Sequence, residues 1–404
     1  MLNRTSGSRP GTPSLLRELN DRAALRLLLD GRSLTRSQLS ELTGVSKVTV
    51  AQMLARLEDR GLVAAVGEQA GGRGPNATLY SVVPGSAYAA GLYVEQGMMA
   101  VAVADVTGQC VAEVREDTNG AEAPVELVRA AVDRACGRAG ISMDRLSAFV
   151  IGSPGVVDPR SGDPLLVVNL PDWHEGVLAE LRGALRKPVL IENDVNLAAI
   201  AERAWGAAAG MDDFVLLWVG VGLGLATVLG GRLHRGASGA AGEIGWLPMP
   251  GAPVTSHVRT PAEGGLQWLV GAEAVRTVAA RYGFEAARAS DCVQLAVAAL
   301  ASATTKAAAA EEFLSELAHR IALGTTAVCA VLDPGLVVLG GEVGLAGGTV
   351  LAGLVTSEVA KMSPVPPRVA PTSVDSDPVL RGALLTAVDQ ARADLLASVA
   401  AVAD

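Results

Sequence analysis

Apolar positions in the first 84 residues recur at helical spacing, broken by glycines and short polar turns. Ser14 caps a predicted helix running to Leu29, with Leu15, Leu19, Leu25, Leu28 and Leu29 on its apolar face and Gly31 stopping it. Two shorter helices follow, parted by a turn at Gly44; the second starts at Ser46 as N-cap and ends at Gly61. At ~100° per residue, Val50, Met53, Leu54 and Leu57 share one side of that helix. Val48, Gln52, Ala55 and Arg56 face away, and Lys47 and Thr49 occupy the exposed first turn. Two strands then flank a glycine-rich tip, residues 67–76, that carries Arg73. A helix-turn-helix followed by a wing is the order of a DNA-binding winged helix, whose recognition helix needs an apolar back and a hydrogen-bonding front. The candidate DNA contacts are therefore Ser46, Lys47, Val48, Thr49, Gln52 and Arg56, with Arg73 placed for the minor groove.

Beyond Pro84-Gly85 the pattern changes to short, unbroken apolar runs alternating with helical stretches. Segments beginning at Ala89, Met98 and Cys110 read as a three-stranded meander, followed by a helix over Pro124–Ala139 and a strand over Leu146–Ile151. Val189 opens a strand that ends in the polar cluster Glu192-Asn193-Asp194-Val195-Asn196, with a helix over Leu197–Trp205 behind it. A second round follows: the strand Phe214–Val219, a glycine-rich hairpin, Ala-rich helices over 271–332, and the strand Leu336–Leu339. Strands alternating with helices predict an α/β fold, and its loose repetition predicts two lobes with a cleft between them. Gly220, Gly222 and Gly224 alternate at a strand end, where backbone amides can approach a phosphate or a sugar. On spacing alone the same glycines equally describe a tight hairpin.

Charge sharpens the division. Residues 1–84 carry 11 Lys and Arg against 7 Asp and Glu, whereas the whole chain has a net charge of −9. A basic head on an acidic body suits a nucleic-acid module joined to one that avoids nucleic acid. The four cysteines lie far apart with no C-x-x-C spacing and read as small buried hydrophobes in a reducing compartment. The apolar runs are too short to cross a bilayer and no signal-like segment opens the chain, so a cytoplasmic protein without membrane contact is expected.

The body resembles the ROK family of bacterial repressors and sugar kinases. The motifs that carry the likeness are Gly152–Asp158 (GSPGVVD), Asn169–Trp173 (NLPDW), Glu192–Asn196 (ENDVN), the glycine stretch through Gly242-Glu243-Ile244-Gly245, and Leu339-Gly340-Gly341-Glu342. The resemblance implies a two-lobed actin/hexokinase-like (ribonuclease H-like) ATPase-type fold behind the winged head. It divides the chain into residues 1–84, 85–200 and 201–404, the last helix packing back on the N-terminal lobe. It implies that Asp194 occupies the kinase base position, and that Asn169, Asn193, Asp194, Glu243, Trp246 and Gln267 line a sugar pocket. It also implies a homodimer or homotetramer on a two-fold operator.

Three departures qualify the chemistry. Gly91–Met98 lacks the Asp-x-Gly-Gly-Thr-like phosphate turn of the kinases, and Val221 stands where a phosphate-binding Thr is usual, so ATP-dependent phosphorylation is expected to be lost. The family's zinc histidine is replaced by Trp246 and the cysteines that follow it are missing, so no metal is expected. Trp246 can stack on a sugar's apolar face, which would retune the pocket. The expected function is a regulator, more often a repressor, of carbohydrate-related genes. The alternatives are a sugar kinase with an accessory DNA-binding head, or a DNA-binding protein without a ligand.

Overall fold

The computed structural model describes residues 13–70, 76–95, 97–119, 123–166, 180–183, 185, 189–255, 257, 264–302, 305–374 and 376–400. The head is built from α1 (Pro13–Leu29), β1 (Leu34–Thr35), α2 (Arg36–Thr43), α3 (Lys47–Asp59), β2 (Val63–Gln69) and β3 (Ala77–Val82). The strands form an antiparallel sheet in the order β1-β3-β2. Helix boundaries follow from local chemistry. Thr35 and Gln38 form a capping box at the start of α2. The Ser46 side chain accepts a hydrogen bond from the Thr49 N–H at 3.2 Å and opens α3. Val50, Met53, Leu54 and Leu57 are fully buried against Leu25, Leu28 and Leu39, as the helical period requires. The start of α1 departs from expectation. Leu15 and Leu19 are 42% and 51% exposed, because the head's core begins two turns further on, at Ala24.

Behind the head, β4 (Tyr88–Glu95), β5 (Met98–Asp105) and β6 (Cys110–Asp117) form the expected meander. Two strands add to its far side in parallel: β7 (Leu146–Ser153) beside β4, and β10 (Val189–Asn193) beside β7. Helix α4 (Pro124–Arg138) packs on β5 and β6, and a small ribbon of β8 (Val156–Val157) and β9 (Pro164–Leu166) leaves the end of β7. Helix α5 (Asp194–Trp205) then leads to the second sheet.

That sheet repeats the plan. β11 (Phe214–Val219), β12 (Leu223–Leu229) and β13 (Arg232–Leu233) are antiparallel neighbours, and β14 (Leu336–Gly340) and β15 (Arg368–Pro371) add in parallel on the other side of β11. Both sheets therefore run third-second-first-fourth-fifth in order of their own strands. The second carries α6 (Gly265–Val270), α7 (Ala272–Arg281), α8 (Ala289–Ala301), α9 (Ala307–Leu332) and α10 (Gly341–Met362). Contrary to expectation, α10 is long and apolar enough to cross a bilayer by composition alone. It packs instead against α8, α9 and β15.

The last helix, α11 (Pro378–Ala400), crosses back to the first lobe and packs on α5, β4 and β7. The approach is close: a Cβ at Gly382 would collide with the Leu197 carbonyl of α5. The far part of α11 meets α1 of the head, and Arg60 donates a hydrogen bond to the Ser398 carbonyl at 3.1 Å. Cys136, Cys292 and Cys329 are buried as expected, whereas Cys110, on the edge strand β6, is exposed.

Candidate functional site

Two surfaces carry the chemistry anticipated from the sequence. On the head, the side of α3 opposite its buried quartet presents Lys47, Val48 and Gln52 to solvent. Val48 is 69% exposed, so its methyl groups are available to an apolar group such as a thymine methyl. Ser46 and Thr49 are tied to each other through their hydroxyls at 2.9 Å, so they fix the first turn as well as fronting it. Arg56, also expected to contact DNA, is engaged within the head. Its Nε and Nη2 donate to the two carboxylate oxygens of Asp21 on α1 at 2.8 and 2.6 Å, a bidentate pair that pins α3 to α1. Arg73 lies outside the described residues.

The second surface is the cleft where β7, β10, β11 and β14 end. Asn193 caps α5: its Oδ1 accepts from the Asn196 N–H at 3.0 Å, and its Nδ2 donates to the Gly155 carbonyl at 3.0 Å. That holds the chain so that Asp194, the first residue of the helix, projects at the cleft. Asp194 Oδ1 accepts from the Val195 N–H at 2.8 Å, but burial dominates and pushes its carboxyl up to about 6. Glu243 is pushed up to about 7, by burial first and then by the charge of Asp194. Glu243 thus retains a proton near neutrality beside the more acidic Asp194, so the pair both accepts and donates hydrogen bonds.

Beneath them lies a network the sequence did not reveal. Glu192 is nearly buried and accepts from the Asn193 N–H and from Asn196 Nδ2, each at 2.9 Å, and from Arg235 Nε at 2.6 Å. Arg235 follows β13 of the second sheet and Glu192 lies on β10 of the first, so this ion pair joins the lobes at the floor of the cleft.

The glycine stretch divides into a hairpin and a support. Gly220 donates its N–H to the Gly222 carbonyl at 3.1 Å and closes the β11–β12 turn. Gly242 has φ +100°, and a Cβ there would collide with the Leu225 carbonyl; only glycine lets the chain lie that close to β12 while presenting Glu243. Gln267 was expected in the pocket. Its amide is engaged with the hairpin instead, Oε1 accepting from the Leu223 N–H at 2.9 Å and Nε2 donating to the Val221 carbonyl at 3.2 Å. Trp246 is half-buried and its indole Nε1 has no hydrogen-bond partner among the described residues. Asn169 lies outside the described residues.

The zinc site that the resemblance brings to mind does not fit these side chains. Trp246 cannot ligate, residues 251–265 hold no cysteine, and among the described residues no three His, Cys, Asp or Glu side chains come together to hold a metal.

Residues 92–390 match the ROK family and residues 19–74 match the MarR family. The chain belongs to the ROK family. It is 28% identical over 240 residues to a xylose repressor from Caldicellulosiruptor bescii, a match spanning 58% of this chain and 60% of that protein. Among solved structures, a ROK family transcriptional regulator homologous to the E. coli MLC protein superposes with a TM-score of 0.72 at 18% identity, over 95% of this chain and 99% of that one. A ROK hexokinase from Thermus thermophilus superposes with a TM-score of 0.60 at 29% identity, over 74% of this chain and 97% of that one. The fold is thus a MarR-like winged helix followed by the two-lobed actin/hexokinase-like body.

Proposed function

We propose that this ROK protein is a DNA-binding transcriptional regulator of carbohydrate-related genes, in the sense of a repressor, and that its body senses a sugar without phosphorylating it. The observation that carries the reading is the solvent-facing front of α3, Lys47, Val48 and Gln52, on a helix whose back is wholly buried in a basic head. The name of the Caldicellulosiruptor relative supports the sign of regulation and a sugar effector. In this reading the protein works in the cytoplasm as a homo-oligomer on a two-fold operator, uses no metal, and binds effector through Asp194, Glu243 and Trp246, with Asn169 as a further candidate. Ligand in the cleft shifts lobe closure and hence the spacing of the heads.

The likeness to a hexokinase keeps the kinase reading in view. Asp194 stands at the base position, but a base is useful only with a phosphate cradle around it, and Tyr93 and Glu95 occupy the first cradle. Turnover of a hexose with ATP, abolished by Asp194→Asn, would overturn the non-catalytic reading.

The deciding experiment is recovery of genomic DNA fragments by the full-length protein at near-physiological salt, beside a Gln52→Ala, Arg73→Ala control. Enrichment of a few inverted repeats, lost in the control, is the expected result. Diffuse, salt-sensitive recovery without a shared motif would mean backbone binding only and would sink the regulator reading.

A further inference from the structure

The join between head and body is built more firmly than a tether requires. Residues 83–87 separate β3 from β4, and the residues that flank them, Val82 and Ala89, are buried. Val83 donates its N–H to the Leu62 carbonyl of the head at 2.9 Å. Pro84–Ser86 then form a single 3₁₀ turn. Arg145 Nη2 donates to the Gly85 carbonyl at 2.7 Å, and the same guanidinium lies 5.9 Å from the centre of the Tyr88 ring. The linker is thus held by the head on one side and by the first lobe on the other.

The turn between β5 and β6 ties this linker to the last helix. Val106, buried in that turn, donates its N–H to the Pro84 carbonyl at 3.3 Å. Its own carbonyl accepts from Arg392 Nε of α11 at 2.9 Å, and Arg392 Nη2 donates to the Thr107 carbonyl at 2.9 Å. The turn is itself fixed, because Oδ1 of the buried Asp105 accepts from the Thr107 N–H at 2.8 Å and from its hydroxyl at 2.5 Å. Both backbone groups of one buried residue therefore join the linker to α11. Beyond Arg392 the helix reaches the head, where α1 packs on it and Arg60 bonds to Ser398. Val399 belongs to the apolar cluster that also holds Leu25 and Leu28 of the head and Ala89 and Val150 of the first lobe. A close-packed interior of this kind passes a displacement on and does not absorb it.

We propose that the head has no swing of its own: head, linker, first sheet and α11 turn as one rigid body. Arg392 and Arg145 are then positioning residues, which fix the angle at which α3 is presented. A head on a slack tether reaches half-sites at many separations, whereas a pair of fixed heads fits one. Motion of the second lobe reaches DNA only by turning whole first lobes against each other. The consequence for half-site spacing rests on the DNA-binding reading above; the rigidity of the mount does not.

Two measurements on the full-length chain test it. In the first, Glu41→Cys on α2 and the exposed native Cys110 on β6 carry spin labels, in protein diluted with unlabelled chains. Double electron–electron resonance should give one narrow distance distribution between head and first lobe, broadened in Arg145→Ala, Arg392→Ala, Val399→Asp. In the second, an inverted repeat recovered from the genome is compared with the same repeat carrying ~5 bp between its half-sites, about half a helical turn. The native chain should lose ~100-fold or more in affinity, the avidity of its second head. The triple variant should bind both spacings within ~10-fold of each other. Its affinity for an isolated half-site should stay unchanged, a readout that a merely unfolded head would lose. A broad distribution in the native chain, or equal affinity for both spacings, would overturn the proposal. A variant that keeps the narrow distribution and the steep spacing dependence would remove Arg145 and Arg392 as positioning residues. Should the variant not fold, the native chain's distribution and spacing ratio decide alone. If no inverted repeat is recovered, the regulator reading falls and the distance distribution still decides the mount.

Discussion

Glu243 and Asp194 define the cleft at the scale of single residues, and their titration offers a direct check on it. The Glu243 carboxyl, ordinarily near 4.5, is held near 7 in the folded chain. The folded state therefore takes up this proton more readily than the unfolded chain does. The group's contribution to stability is complete below pH ~4.5 and is lost as pH rises through ~7, amounting to ~1–3 kcal/mol by pH 8. Glu243→Gln removes the loss, so its melting temperature should exceed that of the wild type at pH 8 and converge with it toward pH 4.5. Equal melting curves at both ends would mean that the carboxyl is not desolvated. Motif position says which residues stand near the strand ends, but not what their side chains bind. Asp194 and Glu243 follow from motif position. Gln267 and Asn193 have the same polar character, but their amides are consumed by nearby backbone groups, and a side chain's partner cannot be read from its type.

At the scale of elements, α3 was legible almost to the residue. A serine cap, a glycine turn before it and an apolar repeat near 3.6 are all local properties, and the buried quartet follows from them. The Arg56–Asp21 pair was not legible, because Asp21 lies 35 residues earlier on a helix whose crossing point no local spacing encodes. The consequence is testable. Arg56→Ala strands a nearly buried carboxylate and should destabilise the head by ~1–3 kcal/mol, seen as a lower unfolding midpoint or faster limited proteolysis. Gln52→Ala should leave the midpoint unchanged while weakening operator binding at least tenfold, by the ~1–3 kcal/mol of a lost base contact. If both variants lose only DNA affinity, Arg56 belongs to the recognition surface after all. The exposed start of α1 has a similar origin: Leu15 and Leu19 fit the helical period, but the core they would join starts at Ala24.

Behind the head, the body is built on two five-stranded sheets of the same order, joined by α5 and strapped by α11. This much was foreshadowed by four of the five motifs, which mark the ends of β7, β10, β11 and β14; Asn169–Trp173 lies outside the described residues. The joints between lobes were not, because they pair residues from opposite ends of the body. The Arg235–Glu192 bridge is the clearest case: Arg235→Ala leaves Glu192 buried without its cation and should cost ~1–3 kcal/mol. Arg235→Ala combined with Glu192→Gln should recover part of that loss in the same thermal assay, and no recovery would show that the charge is not what matters. At the other end of α5, Glu202 is almost fully buried and accepts from the Thr372 hydroxyl and from the backbone N–H groups of Ser373 and Val374. It thereby holds the strap that leads into α11. Gly382→Leu, which drives a side chain into the backbone of α5, is expected to abolish soluble expression; a soluble variant with unchanged melting would contradict the packing described.

The seat of the head on α11 has a consequence for how the protein is made. Arg60 and Ser398 are 338 residues apart, yet they meet. A ribosome releases the head early, with its own helices and sheet complete, and delivers the helix it rests on only after both lobes. Chains cut short before α11 would carry a finished DNA-binding head with nothing behind it to set its position. In the function proposed above, such fragments would compete for operators without answering to the cleft.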